Sequence, residues 1–232
     1  MKENLNEWIS ISDMMTGLMM VFLFIAVIFM QRVDEEKRSI EQLAVTYEAY
    51  KGELLQDLQR EFEGDLARWN AEVLPDLTIR FNDPDVLFDA GSASMKPKFG
   101  KILEEFFPRY AAILGNEKNQ DRIEEVRIEG HTSSDWEGRR DFEQGYLKNA
   151  SLSQQRSFAI LQSCFSLGAV ATQRPWLVKV LRANGLAFAN PILHEGAEDP
   201  VRSRRVEFKI KTRAEERIYE IIAKIRGGAR AS

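Results

Sequence analysis

A chain of 232 residues with a formal charge of −4, 44% hydrophobic and 29% charged, has room for one domain of about 100–150 residues plus accessory segments. Its mild acidity gives no reason to expect a nucleic-acid partner. The one cysteine, Cys164, excludes an intrachain disulfide framework, and with only two histidines, His131 and His194, no metal site is legible.

The N-terminal stretch "WISISDMMTGLMMVFLFIAVIFMQRVDEE" carries no charge from Met14 to Met30, with Thr16 as its one clearly polar side chain. At about 1.5 Å per residue this run covers about 26 Å, and Ile9 and Ile11 extend it toward the ~30 Å of a bilayer core. The competing reading is a buried core helix of a soluble protein, but core helices seldom carry a run such as "MMVFLFIAVIFM" with no polar face. It is too long for a cleaved signal, follows Glu3 and Glu7, and lacks a small-residue cleavage pattern before Gln31. The reading is a short tail at 1–12, with Trp8 at the membrane interface, and one transmembrane helix at 13–30. Positive charges fall at Lys2 on one side and at Arg32, Lys37 and Arg38 on the other. By the positive-inside tendency alone, the C-terminal part would be cytoplasmic.

Helical spacing sets Asp13, Thr16, Gly17 and Met20 on one face. Small and hydroxyl residues beside an acid suit close contact with another helix. Ionisable groups within a membrane face protein or water and mark ion pathways. The competing reading has Asp13 at the interface as an N-cap, together with Ser12.

Residues 31–73 are charged and helix-favouring. Ile40, Leu43, Tyr47, Tyr50 and Leu54 recur at steps of three and four, and Leu58, Phe62 and Leu66 continue at steps of four. That pattern fits a two-stranded coiled coil with a stutter, and equally a single helix lying on the domain that follows.

"VLPDL" breaks the helix, and 74–213 reads as mixed α and β. "LTIRF" (Leu77–Phe81), "EEVRIEGH", "WLVKVLRANG" and "RRVEFKIKT" read as strands. "GSASMKPKFGKILEEFFPRYAAIL" contains an amphipathic helix after a turn, and "SLSQQRSFAILQSCF" is a second helix. The fold class expected is α/β: a sandwich whose mixed sheet has helices packed on one face. Residues 214–232 read as a short helix and a tail. On the second helix Arg156 points nearly opposite Phe158, Leu161 and Phe165, and Ser151 with Gln154 makes a capping box. No recognised catalytic motif is present, and Cys164 falls inside an apolar helix, so an enzyme is not expected.

"LFDAGSASMKP", "IEGHT", "NASLSQQR", "RANGLAFANP" and "RSRRVEFKI" stand in the order and approximate spacing of the OmpA-like peptidoglycan-binding domain, which the chain resembles over about residues 77–211. "SDMMTGLMMVFLFI" resembles the membrane helix of MotB-type stator subunits. The short tail, the direct run from membrane helix into a long helix, and "GHTSSDW" make the chain most similar to the ZorB subunits of Zorya anti-phage systems. The resemblance implies that Asp13 carries a transported H⁺ or Na⁺, with Thr16 and Gly17 lining the path and no other cofactor. It implies a homodimer enclosed by a ring of MotA- or ZorA-like multi-helix subunits. It places the protein in the inner membrane, N-terminus cytoplasmic and domain periplasmic, against the charge count; acidic residues surround the arginines and lysines in question. A flagellar-type stator subunit and a passive OmpA-like tether are the alternatives.

In the OmpA-like family an aspartate and an arginine hold the ammonium and carboxylate ends of the wall's diaminopimelate. Arg156 matches the family arginine, and Asn149, Leu152 and Thr132 match other motif positions. Ser133 stands where the family has its aspartate. An extra loop of about eight residues follows, in which Asp135 is a substitute acid. Arg204 and Arg205 match a family arginine pair, and Arg205 is assigned to the ligand carboxylate.

Overall fold

The computed structural model describes residues 2–82, 87–89, 91–134 and 142–213. Asp135 and the segment 214–232 lie outside these residues, as does the Asp13 side chain. Helix α1 (Lys2–Trp69) is uninterrupted, in keeping with a sequence that has no proline over this range. It runs through the expected tail, span and linker, and two compact units part within it, at Glu48 and Ala49.

In the first unit the apolar side chains from Met14 to Met30 are exposed, and α1 is the one helix among the described residues long and apolar enough to cross a membrane. Because α1 starts at Lys2, Asp13 lies inside it. An N-cap needs non-helical backbone just ahead of the first turn, so the capping reading of Asp13 is wrong.

In the second unit Tyr50, Leu54, Leu58 and Phe62, at steps of four, are buried. This part of α1 lies on the domain, one of the two arrangements its spacing allowed. Phe62 stands 5.1 Å from Phe106 and 5.9 Å from Trp69, centroid to centroid. Arg109 bridges Glu61 and Asp65 at 2.7 and 2.6 Å. The helix ends at Trp69, short of 73, because Asn70 turns the chain with φ 49°.

The domain is built on a sheet in the order β1-β2-β7-β3-β4, with β1 (Ala71–Val73), β2 (Thr78–Phe81), β3 (Ile123–Gly130), β4 (Leu181–Gly185) and β7 (Val206–Thr212). Only β3 and β4 are parallel, with α3 (Phe142–Ser166) in the crossover; the other neighbours are antiparallel. A separate hairpin pairs β5 (Leu193–His194) with β6 (Ala197–Glu198), followed by the short helix α5 (Pro200–Ser203). One expected strand is corrected. From Arg174 to Val180 the chain is helix α4, with Pro175 in its first turn and Leu177 and Val180 buried at i and i+3; only Leu181–Gly185 is strand.

Alternation sorts the two faces of the sheet. Ile79, Phe81, Val126, Ile128, Val206, Phe208 and Ile210 are buried with α2 (Pro97–Leu114), whose Phe99, Ile102, Leu103, Phe106, Phe107 and Tyr110 share one stripe. Phe106 centres an aromatic cluster, 5.0 Å from Phe208, 5.3 Å from Phe81 and 5.0 Å from Tyr110. Each such side chain contributes roughly 1.5–3 kcal/mol on burial.

Helix α3 is seated closely on the ends of β3 and β4, where both strands carry glycine. A Cβ at Gly130 would stand 2.6 Å from the Ser153 carbonyl oxygen, and one at Gly185 would overlap the backbone of Gln154. That closeness sets the phase of α3. Its buried residues are Asn149, Ser153, Ser157, Ile160 and Cys164, whereas Phe158 is exposed and Leu161 and Phe165 are partly buried. The expected inward face led by Phe158 is therefore rotated.

Candidate functional site

The C-terminal end of β3, the first half of α3 and the start of β7 meet at one end of the sheet. His131 donates its backbone N–H to the Arg205 carbonyl (3.0 Å) and Thr132 to that of Ala187 (2.8 Å), which continues the β3 ladder past Gly130. Thr132 and Ser133 are both buried, and the Thr132 hydroxyl has no hydrogen-bond partner among the described residues.

Ser153 ties α3 to this end by accepting the Ala187 N–H at 3.0 Å. Gln154 accepts from Gly185 N (2.8 Å) and donates to the Ala183 carbonyl (3.2 Å), so its amide serves β4 as a neighbouring strand would. The capping box of Ser151 and Gln154 is absent for a plain reason: α3 begins at Phe142, so both residues lie inside it. Part of the expected extra loop is thus helix. Asn149 is buried and donates to the Gly145 carbonyl (3.1 Å), a bond along its own helix, and Leu152 is half-buried.

Arg156 is not free of the protein, as its expected position opposite the core implied. Its Nε donates to the Ser92 carbonyl (2.8 Å) and its Nη2 to the Asp89 carbonyl (3.1 Å), and its guanidinium lies 5.0 Å from the Phe88 ring centroid. A guanidinium has five N–H donors, so the loop takes only some of them. Desolvation, and then the charge of Arg204, draw the Arg156 pKa down to about 10, which leaves it charged at neutral pH.

Arg204, rather than Arg205, belongs to this surface. Its Nη1 approaches the Ser133 hydroxyl at 3.4 Å. Arg205 is buried, donating to Glu207 Oε1 (2.6 Å) and to the Ser203 carbonyl (3.1 Å). Its alternation with Val206 turns it to the sheet face opposite the aromatic core, where Arg80 reaches the same Glu207 oxygen at 2.7 Å.

A carboxylate not singled out in the sequence stands beside Ser134, the residue after Ser133. Glu198, at the end of β6, accepts from the Ser134 backbone N–H (3.0 Å) and from the Ser134 hydroxyl. The two residues are 64 positions apart, and no local pattern signals the contact. Thr16, the one described side chain of the expected ion path, bonds its own helix through the Ser12 carbonyl (2.8 Å), and Gly17 has open space around it. Cys164 is fully buried, and desolvation raises its thiol pKa far above the usual range, as befits a packed residue.

No family model matches the chain. It is 47% identical over 224 residues to the Zorya protein ZorB of one Escherichia coli strain, across 95% of this chain and 94% of that protein. It is 25% identical over 213 residues to the Zorya protein ZorB of a second strain, across 88% of this chain and 79% of that protein. Among solved structures, a putative MotB-like protein from Desulfovibrio vulgaris is similar at 20% identity with a TM-score of 0.46, covering 77% of this chain and 99% of that one.

Proposed function

The chain belongs to the family of Zorya ZorB proteins, and from that premise we propose that it is a MotB-like stator subunit anchored to peptidoglycan. In this reading the apolar run of α1 spans the inner membrane once, with the N-terminus cytoplasmic and the 74–213 domain periplasmic. Asp13 gains and loses a proton, or binds Na⁺, between that helix and a ZorA-like ring around two copies of the chain. Each proton moved down 100 mV releases about 2.3 kcal/mol, enough to bias a step in the ring. The response served is defence against phage, as the Zorya name of the relatives suggests.

The observation that carries the anchoring half is the gathering of Arg156, Arg204, Ser133 and Glu198 at one end of the sheet. A zwitterionic peptide group needs a fork of donors for its carboxylate and an acid for its ammonium. Arg156 and Arg204 supply the first, with Asn149, Leu152 and Thr132 shaping the floor. Glu198 supplies the second where Ser133 replaces the family aspartate, and Asp135 is the competing acid.

Arg156→Ala in the full-length chain tests this. Co-sedimentation with purified peptidoglycan should fall by at least tenfold, and unchanged sedimentation contradicts the anchor. Asp13→Asn separates the motor from a passive tether, since it keeps size and removes the titratable charge. Phage protection should be lost with membrane insertion unaltered; protection that survives leaves only a tether.

A further inference from the structure

The sheet face turned away from α2 and α3 holds a buried group that wall binding does not use. Glu129 and Glu207 are paired directly across β3 and β7, and both are 6% exposed. Like charges set opposite each other on a sheet repel, more so when buried. Glu207 answers part of this with Arg205 and Arg80, both on its Oε1. Glu129 has no arginine or lysine partner among the described residues.

His131 is 3% exposed, and neither ring nitrogen has a hydrogen-bond partner among the described residues. Its Nε2 is aimed between the two carboxylates, 3.5 Å from Glu207 Oε2 and 3.8 Å from Glu129 Oε2. Both distances are beyond the 2.7–3.2 Å of a formed hydrogen bond. An imidazolium proton in this geometry satisfies neither acid well, whereas a cation at the centre reaches all three groups.

We propose that Glu129, His131 and Glu207 bind one divalent transition-metal cation of the zinc class. Their ligand atoms lie within 4.8 Å of one another. Tetrahedral donors bonded at about 2.0–2.2 Å stand roughly 3.3–3.6 Å apart, so closing on the ion takes only small side-chain movements. Glu129 brings a carboxylate that no arginine or lysine among the described residues neutralises, Glu207 keeps its Oε2 clear of Arg205 and Arg80, and the imidazole nitrogen selects zinc-like ions over calcium and magnesium. Asn184, in register with Glu129 on β4, has a buried Oδ1 without a hydrogen-bond partner among the described residues, which makes it the fourth donor. The ion ties β3 to β7 directly behind Thr132 and Ser133.

The test uses the full-length chain in detergent, purified on a histidine-free tag, stripped with chelator and titrated with Zn²⁺ against a chromophoric competitor. One equivalent should bind and raise the thermal midpoint, and calcium and magnesium should not compete. Glu129→Gln should weaken Zn²⁺ by more than the roughly 10–100-fold that loss of a supporting partner costs. Stripped of metal, this variant should melt no lower than the parent, because it also removes the repulsion between paired acids. If it does not fold, His131→Asn replaces it with the same expected loss. The proposal is overturned if the parent takes up no stoichiometric zinc, or if the folded variant binds it as the parent does.

Discussion

Two stretches of α1 carry apolar side chains and place them in opposite ways. From Met14 to Met30 the apolar side chains are exposed all round the helix. From Tyr50 to Phe62 the apolar residues keep to one side: Tyr50, Leu54, Leu58 and Phe62 are buried in the core and Leu55 packs partly against it. The first stretch is uncovered among the described residues, as a run long and apolar enough to cross a membrane would be. The second is amphipathic and finds cover in α2, where Phe62 meets Phe106. Hydrophobicity that points everywhere specifies an apolar surround on all sides, and hydrophobicity that points one way specifies a neighbour.

Substitutions can break that contrast. Phe106→Ala removes the ring at the centre of the cluster and should cost about 3–5 kcal/mol in chemical denaturation of the domain, with membrane insertion unchanged. Ile25→Lys should do the reverse, raising apparent insertion free energy by about 2.5–3.5 kcal/mol and leaving domain melting alone. If either variant moves both readouts, the two stretches are not independent in the way described. Gly185→Ala sharpens the account of the domain: its methyl overlaps the Gln154 backbone, so α3 must shift, at about 1–3 kcal/mol in denaturant. Gln154→Ala is smaller, about 1 kcal/mol, because β4 loses an amide that acts as its outer partner.

The strands of 78–81, 123–130 and 206–212 and the helix α2 were legible because their periodicity states which side is buried. What periodicity misreads is a surface whose fit depends on small residues. The inward face of α3 is mostly Asn and Ser, since Gly130 and Gly185 leave no room for the phenylalanine that the pattern favours. "WLVKV" alternates like a strand, yet Pro175 and the buried Leu177 and Val180 make it the end of a helical turn. Arg156 was identified by motif, but its loop contacts to Asp89 and Ser92 come from 64 or more positions away. The choice between Arg204 and Arg205 rests on which face of β7 each occupies, one residue of register. Glu198, and the meeting of Glu129 with Glu207, arise only when distant strands pair.

The central claim is that this end of the sheet reads both ends of a zwitterion in the wall peptide. The most direct measurement is calorimetric titration of the full-length chain with a diaminopimelate-containing muropeptide and with the same peptide acetylated on its free side-chain amine. The account expects the native peptide to bind, acetylation to weaken it at least tenfold, and Glu198→Gln to abolish the difference between the two. Equal binding of both peptides by the parent chain would contradict it.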